Sequence, residues 1–531
     1  MITKSAKPSV GFLVLLLTVG IASSASAAAA KNILLVIADD YGADGSSLYN
    51  STSNGASLPP TPTIAALARR GVVFRNAWAC PECSPSRAAI LTGRYPFRTG
   101  IGSVVGMGVP ALSASEFTLP DAFSSNPSLG YHLAMFGKWH LGPGANSPNS
   151  PRTLGGWTNY AGSLLGDLGT INETTAYTNW TKTVNGTSTA NYTNYATTDL
   201  VNDAMNWISA RGTNPWFCWV AFNAPHTPLH VPPLNLAPGY ATNTSVSASR
   251  RQFEAMTEAM DTEFARLLTA VDTNKTHIIF LGDNGTLNSQ LQPPYPSSRG
   301  KSTLYEGGIR VPLVIAGPGV VNPGRTNNTP VHLVDLFSTI LELAGMNTAT
   351  TLTNTTNAVD SKSLLSVLQN QPDVPRYNFS EYYSPMTGVA ANSGRTIRNS
   401  DYKLITLTNG SKFFFNLSAD PYEKTNLLLN PLTLTATSNY NALTMRLGNY
   451  QSALAPPTLT TFGSSNGQFT ITVQRTASLS YALWRAGALD DLAWAPLNNA
   501  IIVTNGAATV TLTDPGATNG NNFYRVMAAT P

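Results

Sequence analysis

Charged side chains are scarce in this chain of 531 residues: Lys, Arg, Asp and Glu together make up 11% of it, against about 25% in an average soluble protein. The formal net charge is +4, and no long run of Lys and Arg is present that could follow a nucleic-acid backbone. We therefore expect no nucleic-acid partner. Hydrophobic residues make up 42% of the chain, which is enough for large buried cores and excludes wholesale disorder.

Long hydrophobic runs are also missing, and the one notable run is short and N-terminal. Residues 10–22 are apolar, follow Lys4 and Lys7, and precede Ala25-Ser26-Ala27, a small-residue cleavage site. Such a run is too short for the roughly 30 Å hydrocarbon layer of a membrane, whereas this order of regions is typical of a secretory signal peptide. We predict a signal peptide over residues 1–27, no membrane span, and a secreted or periplasmic protein of bacterial origin.

Cysteine is rare as well, since the chain has only Cys80, Cys83 and Cys218. An odd number in an exported protein suggests a special role for one of them. Cys80 and Cys83 form a CxxC pair, which is compatible with a redox pair, half of a metal site or a structural disulfide. Cys218 lies within a continuous apolar run and is predicted to be a small buried hydrophobic residue.

Strand and helix patterns alternate through the first two thirds of the chain. Continuous apolar runs predict buried strands, and helical spacing predicts helices between them. This alternation predicts an α/β domain with a large, mostly parallel sheet flanked by helices. The predicted strands are 32–38, 71–74, 131–136, 216–222 and 277–281, and the predicted helices are 63–70 and 253–271.

The pattern changes twice toward the C-terminus. Short segments at 402–407 and 412–417, followed by a helical pattern over 432–454, predict a smaller antiparallel subdomain. Pro456-Pro457 is typical of a linker, and short β-type runs after it predict a small all-β module. The predicted domains are a catalytic α/β domain over 28–375, the antiparallel subdomain over 376–455 and the β-rich accessory module over 456–531.

Polar residues closely follow three of the predicted strands. Asp39-Asp40 comes after 32–38, His226 after 216–222, and Asp283-Asn284 after 277–281. In parallel sheets, ligands bind at the carboxyl ends of the strands. Oxygen ligands of this kind favour a hard cation such as Ca²⁺ or Mg²⁺ over zinc.

The segment Cys83-Ser84-Pro85-Ser86-Arg87, with Leu91-Thr92-Gly93-Arg94 after it, resembles the C-x-P-S-R signature of the type I sulfatases. That family belongs to the alkaline phosphatase superfamily, and the resemblance covers about residues 31–454. It implies that a formylglycine-generating maturation enzyme oxidises Cys83 to formylglycine, whose hydrate is the nucleophile. Further matching blocks are Gly137-Lys138-Trp139-His140-Leu141-Gly142, Asn223-Ala224-Pro225-His226-Thr227-Pro228, Lys301 with residues 305–312, residues 402–405, and Asp420-Pro421-x-Glu423.

The resemblance also implies a role for each site residue. Asp39, Asp40, Asp283, Asn284 and the modified Cys83 would hold one Ca²⁺, with Mg²⁺ as the alternative. Arg87 would position the hydrate, and Lys138 and Lys301 would bind sulfate oxygens. His226 or Lys301 would protonate the leaving oxygen, and His140 would be the base that regenerates the aldehyde. We place His132, His230, His277 and His332 outside the site.

These inferences together predict a secreted sulfatase that hydrolyses sulfate esters of carbohydrates, including polysaccharides, and of aryl alcohols. A phosphodiester or phosphonate monoester hydrolase of the same superfamily is the alternative enzyme. A catalytically silent binding protein would show gaps in the ligand set, and the sequence has none. Substrate specificity is expected from the loops around residues 157–195 and 288–299.

Overall fold

The computed structural model describes residues 32–529 except for 107–108, 170–172, 174, 242–245, 356, 374, 384–391, 451–458, 475–479, 487–494, 498–499, 506–508 and 518–522. The predicted signal peptide and the predicted boundary at 455–456 therefore lie outside the described residues. Within the described part of the chain, no helix has both the length and the apolar character needed to span a bilayer.

Twelve α-helices occur among the described residues. They are α1 (Pro62–Arg69), α2 (Cys83–Thr92), α3 (Pro96–Thr99), α4 (Leu119–Ser124), α5 (Ser150–Thr153), α6 (Ala196–Ser209), α7 (Ala248–Leu268), α8 (Glu306–Ile309), α9 (Leu336–Leu343), α10 (Thr348–Thr351), α11 (Leu365–Leu368) and α12 (Leu434–Asn449). The two predicted helices at 63–70 and 253–271 correspond to α1 and α7, each displaced by a few residues at its ends.

The first twelve strands belong to the large domain. They are β1 (Asn32–Ala38), β2 (Gly71–Phe74), β3 (Ala77–Trp78), β4 (His132–Gly137), β5 (Asn159–Gly162), β6 (Trp180–Val184), β7 (Thr187–Tyr192), β8 (Trp216–Ala221), β9 (Thr276–Gly282), β10 (Leu313–Ala316), β11 (Arg325–Asn327) and β12 (Val331–His332). Each of the five strands expected from the sequence is present.

Ten of these strands form one mixed sheet in the order β11-β2-β10-β9-β1-β8-β4-β5-β6-β7. The central strands β9, β1, β8, β4 and β5 are parallel to one another. Antiparallel pairs flank them, at β9–β10–β2 on one side and β5–β6–β7 on the other. The predicted α/β sheet is confirmed, and its parallel centre places several strand ends at one edge.

Strand β1 shows how the sheet is buried on both faces. Ile33, Leu35 and Ile37 pack into one hydrophobic core, and Leu34, Val36 and Ala38 pack into the other. Because successive side chains of a strand point to opposite faces, a continuous apolar run is required where helices cover both sides. Cys218 is fully buried in β8, as predicted from its apolar neighbours.

The Asn/Thr-rich stretch after residue 170 adds two strands that the sequence did not predict. Strands β6 and β7 form an antiparallel hairpin that extends the sheet beyond β5. Lys182 on β6 binds Asp199 at 2.5 Å and Asp203 at 2.7 Å, and Asp199 belongs to α6. This buried ion pair holds the hairpin against the helix, so a polar composition does not prevent it from packing.

The antiparallel subdomain is a four-stranded sheet in the order β13-β14-β15-β16, with α12 packed against it. Its strands are β13 (Asn378–Tyr382), β14 (Gly394–Arg398), β15 (Tyr402–Leu407) and β16 (Lys412–Asn416). The predicted strands at 402–407 and 412–417 are confirmed, and α12 lies within the predicted helical segment.

A cluster of buried charges joins this sheet to the large domain; we call it the subdomain cluster (Glu306, Arg398, Lys403 and Glu423). Lys403 Nζ lies 3.1 Å from Glu306 Oε1 and 2.8 Å from Glu423 Oε1. Arg398 lies 3.8 Å from Glu306 Oε2, and the Glu306 N–H donates to Glu423 Oε2 at 2.6 Å. Three sequence blocks that are far apart in the chain thus meet in one network.

The C-terminal module consists of two small antiparallel sheets, β17-β18-β22-β21 and β20-β19-β23. Its strands are β17 (Leu459–Ser465), β18 (Gln468–Gln474), β19 (Ser480–Ala486), β20 (Ala495–Pro496), β21 (Ile501–Asn505), β22 (Thr509–Asp514) and β23 (Phe523–Ala529). The small all-β module is confirmed, with its own core around Ile471, Val473 and Leu512.

Candidate active site and metal centre

The structure brings the ten predicted site residues together at the carboxyl edge of the parallel strands. Eight of them come after a central strand and two lie in the first turns of α2, because the central strands all end at this edge. Asp39 and Asp40 follow β1, Cys83 opens α2 and Arg87 lies one turn into it, Lys138 and His140 follow β4, His226 follows β8, Asp283 and Asn284 follow β9, and Lys301 precedes α8.

Seven of these residues form a buried polar network that we call the strand-end cluster (Asp39, Asp40, Arg87, Lys138, Asp283, Asn284 and Lys301). Lys138 Nζ lies 2.5 Å from Asp39 Oδ2, and Lys301 Nζ lies 2.6 Å from Asp40 Oδ1. Arg87 donates from Nε and Nη2 to Asp283 Oδ2 at 3.0 and 2.7 Å. The three cations thus neutralise one carboxylate oxygen of each aspartate.

Three other oxygens of the cluster are buried and unsatisfied, whereas Asp283 Oδ1 accepts from the Asp40 N–H at 3.2 Å. Asp39 Oδ1, Asp40 Oδ2 and Asn284 Oδ1 accept no hydrogen bond from any described residue. A buried acceptor without a partner costs about 1–3 kcal/mol, and more when it is charged. Three such oxygens on adjacent strand ends fit a hard divalent cation, which would satisfy them together.

Oxygen and nitrogen atoms of Asp39, Asp40 and His226 all lie within 4.8 Å of one another. The imidazole of His226 is thus close enough to the acids to border the same space. The unsatisfied atoms themselves, however, are all oxygens. A donor set dominated by oxygen favours Ca²⁺ or Mg²⁺ over zinc.

Burial and neighbouring charges give two of the aspartates opposite pKa shifts. Burial alone would raise the pKa of Asp39, but the charges of Lys138, His226, Arg87 and Lys301 outweigh it and lower the pKa below its ordinary value. The pKa of Asp283 is raised to about 6 by burial and by the charge of Asp39, against the opposing charge of Arg87. Asp39 is therefore held ionised. A cation bound nearby would lower the raised pKa of Asp283.

Cys83 is the first residue of α2, with extended Glu82 as the N-cap. Its Sγ lies 3.1 Å from His140 Nδ1. Burial, only partly offset by Lys138 and Lys301, raises the pKa of the thiol to about 12. Since the thiolate is the reactive form, an unmodified Cys83 would be a poor nucleophile.

Cys80 has a different environment, although only two residues separate it from Cys83. It packs in the hydrophobic core of the antiparallel subdomain, where Tyr95 and Phe379 also lie. All three cysteines are free thiols in the structure. The structure therefore contains no CxxC disulfide and leaves Cys83 alone facing the cluster.

Two site residues adopt backbone conformations that are uncommon for residues other than glycine. The φ angle is 59° for Asp40 and 55° for His140. Such left-handed conformations cost roughly 1–3 kcal/mol each and occur where surrounding contacts enforce them. Just before Lys138, Gly137 has a φ of 97°, and a Cβ there would lie 1.9 Å from the Ala221 carbonyl oxygen. Only glycine allows β4 to approach β8 so closely.

His140 is held by its backbone as well as its ring. Its N–H donates to the Leu164 carbonyl at 3.1 Å, and its carbonyl accepts from Ser84 Oγ at 2.9 Å. Burial and the charges of Lys138 and Arg87 keep the pKa of the imidazole well below its ordinary value. His140 is therefore held in its neutral form.

His226 lies between the cluster and the protein surface. Its Nε2 lies 3.6 Å from Asp40 Oδ2, and its Nδ1 lies 3.1 Å from Asp167 Oδ1 and 2.8 Å from the Thr227 carbonyl oxygen. The Tyr177 hydroxyl donates to the carbonyls of Asn223 and His226 at 2.8 Å and fixes the turn. This arrangement presents one ring nitrogen to the cluster.

Two acidic residues at the site, Glu82 and Asp167, were not predicted from the sequence. Glu82 is buried, lies 3.9 Å from Lys301 Nζ and accepts from Ser302 Oγ at 2.5 Å. Asp167 is 58% exposed beside His226. A signal existed for both, since Glu82 lies inside the Cys83 block of a charge-poor chain and Asp167 lies in the 157–195 segment expected to set specificity.

The four histidines placed outside the site have other surroundings. His132 is exposed on β4, and His277 lies within β9. His230 bonds to the Tyr195 hydroxyl at 3.0 Å, and His332 is buried with its pKa lowered to about 3 by burial. His132, His230 and His332 form hydrogen bonds with Arg211, Tyr195 and the Val334 N–H, which lie outside the strand-end cluster.

Known proteins resemble this chain in both sequence and fold. The Sulfatase family matches residues 31–346, and the family described as N-sulphoglucosamine sulphohydrolase, C-terminal, matches residues 299–450. A sulfatase of Formosa agariphila is 30% identical over 478 residues, covering 75% of this chain and 84% of that protein. N-acetylgalactosamine-6-sulfatase of Homo sapiens is 28% identical, covering 68% of this chain and 70% of that protein.

Among solved structures, Ps i-CgsB in complex with k-i-k-neocarrahexaose superposes with a TM-score of 0.64 at 25% sequence identity. The match covers 78% of this chain and 90% of that chain.

Proposed function

This chain belongs to the sulfatase family and is a sulfuric ester hydrolase, and from that premise we propose that it desulfates carbohydrates and also cleaves aryl sulfates. We propose further that position 83 becomes formylglycine and that the strand-end cluster binds one divalent cation. The observation that carries this proposal is the meeting of three unsatisfied buried oxygens with Cys83 and three cationic side chains.

The modified side chain at position 83 would supply a hydroxyl nucleophile that the thiol does not provide. The thiol pKa of about 12 supports this step, because an unmodified Cys83 would stay protonated at neutral pH. Position 83 also opens α2, so the backbone N–H groups of the first helical turn face the space that a sulfate would occupy.

Asp39, Asp40, Asp283 and Asn284 would hold the cation, together with the modified residue 83. A cation bound there would polarise the sulfate and lower the pKa of a hydroxyl group next to it. We expect Ca²⁺, with Mg²⁺ as the alternative, since the ligand types suit both.

Three cations of the chain would neutralise the ester. Lys138 and Lys301 are already charged, because the neighbouring aspartates outweigh burial and raise the pKa of both. Each can release part of its contact with Asp39 or Asp40 to a sulfate oxygen, since an ammonium group has three donors. Arg87 stays on Asp283 and the Lys138 carbonyl, which suits a positioning role at residue 83.

The two histidines divide the proton transfers. His140 is kept neutral and lies 3.1 Å from the side chain of residue 83, so it is placed to accept a proton from that side chain. His226 is the better candidate for protonating the leaving oxygen, because the raised pKa of Lys301 makes that ammonium a reluctant donor.

Two of the matched proteins act on or bind carbohydrates, which favours a carbohydrate substrate. N-acetylgalactosamine-6-sulfatase and a complex with a neocarrahexaose are among the matched proteins. The predicted signal peptide would direct the enzyme out of the cytoplasm. We expect it to act on sulfated polysaccharides outside the cytoplasm.

The proposal is tested by mass spectrometry of the peptide spanning residues 81–87, combined with activity assays. Co-expression with a formylglycine-generating enzyme should give an aldehyde at position 83 and hydrolysis of 4-nitrophenyl sulfate. The unmodified protein should fold, bind the cation and be inactive.

The same preparation should cleave 4-nitrophenyl sulfate faster than bis(4-nitrophenyl) phosphate. The reverse order would favour the phosphodiester alternative. An active preparation that carries only unmodified Cys83 would overturn the proposed nucleophile.

A further inference from the structure

A cavity of about 140 Å³ opens beside His226, between the loop after β5 and the hairpin formed by β6 and β7. This volume is comparable to the roughly 150 Å³ of an engineered cavity that accommodates a benzene ring. The cavity adjoins the site directly. Asp167 and Ser163 both line it. Asp167 Oδ1 lies 3.1 Å from His226 Nδ1, and Ser163 Oγ accepts a hydrogen bond from Asn223 Nδ2 at 3.1 Å.

The lining of the cavity is uncharged except at one position. Thr181, Thr183 and Ser188 supply hydroxyl groups from the hairpin, and three leucines of the loop supply apolar surface. Leu165 is 46% exposed at the mouth, although it is a large hydrophobic residue. Among the described residues that line the cavity, Asp167 alone carries a charge.

The nearest cation of the hairpin points away from the cavity. Lys182 lies between Thr181 and Thr183 on β6, so its side chain extends from the opposite face of the strand. There it binds Asp199 and Asp203, at 2.5 and 2.7 Å. The hairpin therefore presents hydroxyl groups to the cavity and keeps its ammonium group on the side of α6.

We infer that this cavity is a subsite for an uncharged sugar residue next to the sulfated one, and that it excludes a second sulfate. This inference rests on the proposed function and adds the substrate's charge pattern to it. Asp167 would accept hydrogen bonds from sugar hydroxyls, and the leucines would pack against a sugar face. A sulfate in the same place would meet the Asp167 carboxylate, and no lysine or arginine is among the described residues that line the cavity, an arrangement that costs affinity.

The test compares pairs of disaccharides that share one sulfated ring. In one member of each pair the neighbouring ring is neutral, and in the other it carries a second sulfate. Release of sulfate from the shared ring is followed by chromatography of the products. For at least one pair, we expect kcat/KM to be at least about tenfold higher for the member with the neutral ring.

Two lysine variants test whether the cavity causes this preference. Thr181→Lys and Ser188→Lys each place a cation in the lining and should reduce the preference to about threefold or less. Thr189→Lys is the matched control, because Thr189 pairs with Lys182 and therefore shares the opposite face of the hairpin. It should leave the preference unchanged.

Hydrolysis of 4-nitrophenyl sulfate separates failure of the subsite from failure of the proposed function. If the aryl ester is cleaved but no disaccharide is, or both members of every pair react alike, the subsite is overturned. Equal effects of Thr189→Lys and the two cavity variants, or no effect of either cavity variant, would overturn it as well. If the aryl ester is not cleaved by modified protein, the proposed function itself fails.

Discussion

The strand-end cluster and the subdomain cluster are both buried and charged, and they differ in how completely their oxygens are satisfied. In the subdomain cluster, Glu423 Oε1 also lacks a hydrogen-bond partner, but it lies 2.8 Å from Lys403 Nζ. The other carboxylate oxygens of Glu306 and Glu423 lie next to a cation or an N–H donor. In the strand-end cluster, three oxygens of Asp39, Asp40 and Asn284 have no hydrogen-bond partner among the described residues. Burial and charge are similar in the two places, so neither property separates a structural network from a site.

The strand-end cluster differs from the subdomain cluster in having unsatisfied oxygens that no lysine or arginine contacts. A network whose carboxylate oxygens are all contacted by its own cations or N–H donors gains little from a ligand and serves to join elements, here the large domain and the antiparallel subdomain. A network in which several buried acceptors have no partner is destabilised by them until a ligand binds there. We therefore expect changes in the strand-end cluster to affect turnover and changes in the subdomain cluster to affect stability.

The largest effect is expected from Asp283→Asn, a change within the strand-end cluster. The amide keeps the shape and one acceptor for Arg87 but removes a charge and a carboxylate oxygen from the metal site. We expect kcat/KM to fall by at least about 1,000-fold, and the rise in melting temperature on adding Ca²⁺ to disappear. Calorimetry and an aryl sulfate assay measure both.

Asp261→Asn is the control, because Asp261 is equally buried but accepts from the N–H groups of Thr63 and Ile64 at the start of α1. It should retain the Ca²⁺ response. Unchanged turnover and Ca²⁺ stabilisation in Asp283→Asn would remove Asp283 from the ligand set.

Lys403→Met tests the opposite half of the comparison. Removing one partner of a buried ion pair leaves an uncompensated charge and typically costs about 3–5 kcal/mol. The free energy of unfolding should fall by that order, while kcat per folded molecule stays within about twofold of the parent, because Lys403 does not touch the strand-end cluster. Loss of turnover at unchanged stability would show that the subdomain cluster is not merely structural.

His226→Ala distinguishes two roles within the strand-end region. If His226 protonates the leaving oxygen, the loss should be about 100-fold for a sugar sulfate and much smaller for 4-nitrophenyl sulfate, whose phenolate leaves without a proton. His230→Ala serves as the control, because the His230 ring is hydrogen-bonded to the Tyr195 hydroxyl. Any loss of activity in this variant should be the same for both esters. Equal losses in His226→Ala would assign it to sulfate binding.

Glu381 probes a buried acid that belongs to neither cluster. It accepts from the Phe97 N–H at 2.6 Å, and burial raises its pKa to about 8 despite the charge of Arg395. In an unfolded chain the pKa of glutamate is about 4.3. Between these two values the folded state binds a proton that the unfolded state has lost, so stability falls as pH rises.

The resulting slope is up to about 1.4 kcal/mol per pH unit. Glu381→Gln cannot titrate, so its stability relative to the parent should increase from pH 5 to pH 8 and then level off. Melting temperatures of the two proteins measured at each pH unit give this difference. A constant difference across the range would contradict the raised pKa.

Much of the fold could be predicted because the local pattern and the tertiary structure agree. The apolar run after Asn32 forms a strand, and the two hydrophobic cores on its faces bury the side chains of residues 33–38. The hairpin of β6 and β7 was missed for the opposite reason. Its residues are polar and largely exposed, and its packing depends on Lys182 reaching two acids of a later segment.

The local sequence predicted the chemistry of the candidate site: which residues follow the strands, their donor types, and the family signature around Cys83. Only the folded chain shows which oxygens remain open, which face of β6 carries a cation, and that Asp167 lies against His226. The reason is physical. Strand ends and motifs are local properties of the chain, whereas the satisfaction of a buried polar atom depends on partners that may lie hundreds of residues away, such as Arg87 for Asp283.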